Sequence, residues 1–304
     1  MKCVLMAVFV AAVAAAPAAA EEDCRLQIAG SLPLTAEPSG LVSVTAGIGG
    51  RPIQLVVDTG APNTSIRQSL AKELGLDYDM LKRWEKHRLF GGTDIHRVVA
   101  VNDFTLGTLK ADGISLLLVP DDAPKPWLKD GLLGESVLSL YDVDFDFGHA
   151  KMNLFLPHRC PGRVVYWTRD ENLLAKVPFR MEGGHIRVHV NVDGRDIEAA
   201  LDTGSNRTVM DLETYMPAFG LTESSPGLVP IHDSRDPNDR YRYTFKTLTF
   251  EGVTVNNPHV VLISQSYSKA PNYRMLIGMD ILRDLHLFIA YKEKMLFITS
   301  AGAK

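Results

Sequence analysis

The sequence contains the tripeptide Asp-Thr-Gly twice, and each copy ends an apolar run of the kind that forms a β-strand. The two runs span residues 55–60 and 199–204. Each aspartate is followed 76 residues later by the glycine of an apolar-apolar-Gly signal, Gly134 or Gly278 (134 − 58 and 278 − 202). An apolar strand that stops at such a turn delivers a carboxylate to the end of the strand. Two signals repeated in the same register indicate an internal duplication, so the chain is expected to form two similar halves.

The pattern around each aspartate predicts β-strands with a few short helices. Each half opens with an alternating strand, residues 41–48 or 185–192, and a tight turn then leads into the strand that carries the aspartate. Strands do not alternate with full-length helices, so a βαβ chain is excluded. We therefore predict an all-β protein with an amino-terminal lobe at 21–157 and a carboxy-terminal lobe at 158–304.

The first twenty residues are expected to be a secretory signal peptide, 1–20. Lys2 precedes an apolar run that ends in small residues before Glu21. The apolar run is short for a membrane span, so we expect cleavage after Ala20 and no membrane span in the mature chain. This predicts an exported protein, either periplasmic or secreted.

The mature chain would keep two cysteines, Cys24 and Cys160. Cysteines of exported proteins often pair, and this pair would tie the amino terminus to the linker between the lobes. Two unpaired thiols are the alternative, and the sequence leaves both open.

Apolar-apolar-Asp-Thr-Gly followed later by apolar-apolar-Gly resembles the signature of aspartic proteases. Two copies in one chain resemble pepsin-like enzymes, or a fused pair of retroviral-type (retropepsin-like) subunits such as a bacterial protein could carry. The resemblance implies a bilobal acid-protease fold of two β-barrel lobes related by a pseudo-twofold axis. It also implies that Asp58 and Asp202 are the catalytic residues and that the hydroxyls of Thr59 and Thr203 bond across the lobe interface.

The glycines of the motif have expected roles of their own. Gly60 and Gly204 lack a side chain, so their backbone N–H groups can approach and bond the carboxylates. Gly134 and Gly278 would let a neighbouring strand cross close behind each turn.

The copies differ at the next position, where Ala61 stands in the first and Ser205 in the second. In the family a serine there can bond the outer carboxylate oxygen. We therefore expect Asp202 to ionise more readily and Asp58 to hold the shared proton more often. A Gly-rich hairpin at Phe90, Gly91, Gly92 and Thr93 is a possible flap over the cleft, and a plain β-turn is its alternative.

The remaining signals limit cofactors and partners. The formal net charge of −4 gives no reason to expect nucleic acid. His185 and His189 lie four residues apart on one face of a strand, but no third ligand has a recognisable spacing, so neither a metal nor another cofactor is expected. We expect a monomeric aspartic endopeptidase acting on a peptide or protein substrate. The alternatives are an inactive peptide-binding pseudoprotease of the envelope and a structural or assembly β module.

Overall fold

In a computed structural model of the chain, the residues described are 25–82, 84–85, 87–89, 92–123, 129–157, 160–162, 164–231, 240–264 and 274–302. The expected signal peptide and Cys24 lie outside these residues. No helix among the described residues is long and apolar enough to span a membrane.

The described residues form 28 β-strands. They are β1 Ile28–Pro33, β2 Thr35–Ala36, β3 Val42–Ile48, β4 Arg51–Val57, β5 Ser65–Arg67, β6 Asp79–Met80, β7 His87–Arg88, β8 Asp94–Ile95, β9 Arg97–Val101, β10 Phe104–Leu106, β11 Leu109–Ala111, β12 Ile114–Val119, β13 Gly131–Leu133, β14 Asp142–Asp146, β15 Lys151–Phe155, β16 Ala175–Pro178, β17 Arg180–Glu182, β18 His185–Val192, β19 Arg195–Leu201, β20 Val209–Asp211, β21 Val229–Pro230, β22 Arg240–Thr244, β23 Thr247–Phe250, β24 Val253–Asn256, β25 His259–Ile263, β26 Met275–Ile277, β27 Leu285–Ala290 and β28 Met295–Ser300.

The helices among the described residues are short, as the sequence predicts. The α-helices are α1 Gln68–Glu73, α2 Glu135–Leu138, α3 Leu212–Ala218 and α4 Met279–Leu282, and 3₁₀ turns cover Phe147–His149 and Glu171–Leu173. Helices α1 and α3 end just before Gly75 and Gly220, both of which have positive φ. Glycine reaches this backbone conformation without steric cost, which explains why the two helices stop there.

Each lobe is built on a ten-stranded sheet with the same central arrangement. In lobe one, β13 lies between β4 and β5, parallel to β4 and antiparallel to β5. In lobe two, β26 lies between β19 and β20 in the same two orientations. The apolar-apolar-Gly signals are therefore the strands that pair with the ends of the aspartate-bearing strands. The duplicated, mostly β architecture predicted from the sequence is confirmed.

The barrel form expected for the lobes is not observed. Among the described residues, the lobe-one sheet runs from β11 to β6 and the lobe-two sheet from β21 to β24, and neither closes on itself. Among the described residues no pairing joins β11 to β6 or β21 to β24, so each sheet keeps two edges.

A third sheet of six strands joins the two lobes, in the order β1-β15-β14-β27-β28-β16. Its centre is the antiparallel pair β14 and β27, in which Val143 faces Ile289 and Phe145 faces Leu287. Residues 144 positions apart are equivalent in the two lobes, so the pair Val143–Ile289 is equivalent to the pair Leu287–Phe145. The pseudo-twofold axis therefore passes between β14 and β27. All of β27 and most of β14 is buried, and this sheet is the common floor of both lobes.

Candidate active site

Each aspartate sits at the end of a buried strand that is held from behind by the apolar-apolar-Gly strand. The backbone N–H of Asp58 donates to the carbonyl oxygen of Leu133 at 2.9 Å, and that of Asp202 donates to Ile277 at 3.0 Å. The strand leading to Asp58 is fully buried over Leu55–Val57. Both carboxylates are thus fixed on rigid core elements.

The glycines behind the two turns are required by close backbone crossing. A Cβ atom at Gly134 would lie 2.6 Å from the carbonyl oxygens of Ala61 and Asn63, and one at Gly278 would lie 2.3 Å from that of Arg207. Real Cβ atoms do not approach a backbone this closely, so only glycine fits. This is the close crossing predicted from the sequence.

Two threonines form hydrogen bonds to these glycines where the backbones cross. The Thr64 hydroxyl accepts from the N–H of Gly134 at 3.1 Å, and the Thr208 hydroxyl accepts from Gly278 at 3.2 Å. Both threonines are fully buried. Sequence reasoning assigned them no role, although their equal offset from the two aspartates was the available signal.

The two Asp-Thr-Gly turns meet through Thr59 and Thr203. The Thr203 hydroxyl accepts from the N–H of Thr59 at 3.0 Å and donates to the carbonyl of Val57 at 2.7 Å. The Thr59 hydroxyl accepts from the N–H of Thr203 at 3.1 Å and donates to Leu201 at 3.0 Å. These four buried bonds cross the lobe interface in both directions, in the pattern that the sequence resemblance implies.

This junction brings the two carboxyl groups together. Gly60 donates its N–H to Oδ1 of Asp58 and Gly204 donates to Oδ1 of Asp202, each at 2.9 Å. A Cβ at Gly60 would lie 2.4 Å from the carboxyl carbon of Asp202, and one at Gly204 would lie 2.2 Å from that of Asp58. Each carboxyl group therefore lies against the glycine of the opposite turn, and the Gly of each tripeptide has no room for a side chain.

The structure does not give Ser205 the role expected for it. Its hydroxyl donates to the carbonyl oxygen of Arg207 at 2.7 Å. A hydroxyl has one proton to donate, so this bond uses the donor that was expected at the carboxylate of Asp202. The expectation that Asp202 ionises more readily than Asp58 therefore gains no support from this hydroxyl and stays a prediction.

The loop after each aspartate also touches the opposite lobe. The Asn206 side-chain amide donates to the carbonyl of Ser39 at 2.9 Å. On the other side, Gly184 is packed so closely that a Cβ there would lie 2.6 Å from Cβ of Pro62. The first hairpin of each lobe thus supports the aspartate loop of the other lobe.

The possible flap falls partly outside the described residues. Phe90 and Gly91 lie there, whereas Gly92 and Thr93 belong to the turn of the β7–β8 hairpin, closed by a 2.9 Å bond from the N–H of Leu89 to the carbonyl of Thr93. Asn63, in the loop after Asp58, contacts Nδ1 of His87 on this hairpin at 3.3 Å. A cavity of about 460 Å³ borders the hairpin. The flap itself stays a prediction.

A buried glutamate lies directly behind the Asp58 turn. The Glu135 N–H donates to the carbonyl of Ala61 at 2.9 Å, and its Oε1 accepts from the Tyr291 hydroxyl of lobe two at 2.8 Å. Its Oε2 has no hydrogen-bond partner among the described residues. Burial raises the pKa of Glu135 to about 8, and burial also raises the pKa of Tyr291. No sequence motif pointed to this group.

The other candidate residues have the following places. Cys160 is disulfide-bonded, and because the other cysteines lie outside the described residues its pairing with Cys24 stays a prediction. His185 is half-buried in β18, and burial, together with nearby Arg187, lowers its pKa. Among the described residues, no three His, Cys, Asp or Glu side chains are grouped in a way that could hold a metal.

A comparison with protein families gives two matches to one family model, described as an aspartyl protease. The matches cover residues 44–137 and 188–281. They begin and end 144 residues apart, which is the separation of Thr59 and Thr203. Each match contains one Asp-Thr-Gly turn and its apolar-apolar-Gly strand. A comparison with curated protein sequences gave no match.

Proposed function

Because the chain belongs to the aspartyl protease family, we propose that it hydrolyses peptide bonds with a water molecule held between Asp58 and Asp202. The observation that carries the proposal is the junction of the two turns, where each carboxyl group lies against the glycine of the other lobe. Reciprocal threonine bonds fix that junction.

The proposed chemistry follows from two acids at close range. Two adjacent carboxylates repel each other, so one retains a proton while the other is ionised, as is general for aspartic proteases. The ionised carboxylate removes a proton from the water, which attacks the carbonyl carbon of the peptide bond. The protonated carboxyl group donates a hydrogen bond to the carbonyl oxygen, and a proton then passes to the leaving nitrogen. We assign the proton to the pair and not to one member.

The substrate we propose is an extended segment of a peptide or protein, cleaved within the chain. It would bind through its backbone as an added strand, with apolar side chains beside the cleaved bond. The cavity next to the β7–β8 hairpin, lined in part by Met80, Thr93 and Arg97, is available for a substrate side chain. We further propose that the protein acts as a monomer, because the chain supplies both aspartates itself.

We also propose that the protein is exported to the periplasm or secreted. The sequence of residues 1–20 supports this, and so does the disulfide bond of Cys160, since disulfides persist in oxidising compartments. Mass spectrometry of the protein from the envelope and from the medium would test both the location and cleavage after Ala20.

The test of the activity is a peptide library incubated from pH 3 to 7 with wild type, Asp58→Asn and Asp202→Asn. Each Asn preserves shape but removes the titrating group, so cleavage should fall at least about a hundredfold in both variants. Glu223→Gln changes an exposed acid and is the matched control, with unchanged cleavage expected. Wild type that binds peptides without cleaving them at any pH would support the pseudoprotease instead, and no binding would support the structural module.

A further inference from the structure

Lobe two contains a crevice that the aspartate turns do not line. It has a volume of about 420 Å³ and lies between β24, helix α4 and the end of β16. Strand β24 is the last strand of the lobe-two sheet, and β16 is the last strand of the shared sheet. The β23–β24 turn comes close to β16, since a Cβ at Gly252 would lie 3.8 Å from Cβ of Ala175. Two open sheet edges therefore border one crevice.

The backbone of β24 directs hydrogen-bonding groups into this opening. Phe250 pairs with Val253 across a two-residue turn, and the N–H of Asn257 donates to Lys246 at 2.9 Å. In an antiparallel pair, bonded and non-bonded positions alternate. Thr254 and Asn256 consequently turn their N–H and C=O groups away from β23. Such an edge can pair with a further strand.

The side chains around the crevice combine apolar surface with negative charge. Val253, Val255 and Ile281 supply the apolar part. Asp280 and Asp284 supply two carboxylates, and no described residue lining the crevice is a Lys, Arg or His. One oxygen of Asp280 accepts from Thr208 at 2.7 Å, whereas Asp284 is exposed at the rim. The crevice therefore complements a cationic group carried on an apolar segment.

The side chains around the crevice differ from their counterparts in lobe one. At the equivalent positions, 144 residues earlier, Thr108 stands for Gly252, Ser136 for Asp280 and Leu140 for Asp284. Both carboxylates are therefore particular to lobe two.

The counterpart of β1 in lobe two is β16, because β1 pairs with β15 and β16 pairs with β28 in the shared sheet. Thr254 and Asn256 of β24 are exposed. The edge of β24 is therefore accessible to a further extended segment.

We propose that this crevice binds an extended segment of a partner protein, which adds a strand to β24 and places a Lys or Arg side chain between Asp280 and Asp284. Backbone bonds to Thr254 and Asn256 give affinity, and the carboxylates select the basic residue. This site is separate from the proposed catalytic centre and does not depend on hydrolysis.

The binding test uses the full-length chain carrying Asp58→Asn, so that no probe is cleaved. The probe is a fluorescein-labelled, end-blocked heptapeptide of alternating valine and lysine, followed by fluorescence anisotropy. Thr254→Pro removes an outward N–H at an edge position that tolerates proline, and Asp284→Leu restores the lobe-one residue. Each should weaken binding about tenfold, whereas Glu223→Leu, at an exposed acid outside the crevice, should leave it unchanged.

Hydrogen exchange by mass spectrometry locates the bound peptide. The expected result is slower exchange in residues 253–256, at Thr254 and Asn256, when the valine–lysine probe is added. A probe with glutamate in place of lysine should bind at least tenfold more weakly. The proposal is overturned if the probe does not bind, if both crevice variants bind it like the parent, or if protection appears only in the two aspartate turns.

Discussion

Thr59 and Thr203 hold each other: the hydroxyl of each accepts the backbone N–H of the other, at 3.1 and 3.0 Å. The two residues are 144 positions apart and fully buried. Each hydroxyl also donates to a strand carbonyl of the opposite lobe. Each buried hydroxyl therefore both donates and accepts a hydrogen bond. These bonds hold the two turns together and so set the distance between the aspartates.

We expect Thr203→Val to damage this junction without changing its volume. The N–H of Thr59 and the carbonyl of Val57 would lose their partner, and a buried polar group left unpaired costs about 1–3 kcal/mol. Urea unfolding should show this loss, and peptide cleavage should fall. Thr203→Ser keeps the hydroxyl and should recover most of both. Stability equal to wild type in Thr203→Val would show that the junction is not needed.

The repeated signals could be recognised in the sequence because they are local. Asp58 and Asp202 end apolar strands, and the tripeptide fixes the turn conformation within a few residues. The strands into Gly134 and Gly278 were recognisable for the same reason. The duplication relates the two halves, since one offset of 144 residues aligns Asp58 with Asp202 and Gly134 with Gly278.

The features that the sequence did not predict depend on distant partners. Ser205 bonds a carbonyl two residues away, because a local backbone acceptor competes with the carboxylate. Glu135 is polar but buried, and its hydrogen-bond partner Tyr291 lies 156 residues later. The shared sheet needs β14 to meet β27, which no local pattern specifies. Phe90, Gly91 and the Cys24 pairing stay predictions, as do the lobe boundaries.

A methyl group at Gly60 should abolish activity with a smaller effect on folding. The Cβ of Gly60→Ala would lie 2.4 to 2.7 Å from the carboxyl atoms of Asp202, so that carboxyl group must move away from Asp58. We expect cleavage to fall about a hundredfold or more, because a displacement of about 1 Å is enough for such a loss. Gly302→Ala is the control, since a Cβ there meets nothing within 4 Å. Equal cleavage by both variants would contradict the placement of the carboxyl groups.

Glu135 should make the protein less stable as the pH rises. Its pKa is about 8 in the folded protein, whereas a glutamate in the unfolded chain loses its proton near pH 4.5. Between these values the folded state binds one proton more, so the free energy of unfolding falls by up to about 1.4 kcal/mol per pH unit. Glu135 therefore does not destabilise the protein below about pH 4.5, and its destabilising effect reaches its limit above about pH 8.

Glu135→Gln isolates this contribution, because glutamine keeps an acceptor for the Tyr291 hydroxyl and does not titrate. Urea unfolding of wild type and Glu135→Gln from pH 4 to 9 should give a difference between the two that grows with pH. Parallel curves over this range would mean that Glu135 is not the source of the decline.

The network around Asp144 should be the strongest polar contribution to lobe association. This fully buried carboxylate of lobe one contacts Nε2 of His286 in lobe two at 2.7 Å and accepts from Asn153 at 2.9 Å. The Tyr166 hydroxyl donates to it as well, and partial burial, followed by the nearby carboxylate, raises the pKa of Tyr166. The Trp167 ring stacks on the His286 ring, with 4.2 Å between the ring centroids, so the fluorescence of Trp167 reports on this network.

Asp144→Ala would leave the buried His286 and Asn153, and the half-exposed Tyr166, without their common acceptor. Removing one partner from a buried charged network costs about 3–5 kcal/mol, so the urea midpoint should fall strongly and Trp167 emission should shift to the red. Glu73→Ala breaks only the exposed ion pair with Arg51 and should cost less than about 1 kcal/mol. If the two variants unfold at the same urea concentration, apolar packing of β14 on β27 must hold the lobes together without help from Asp144.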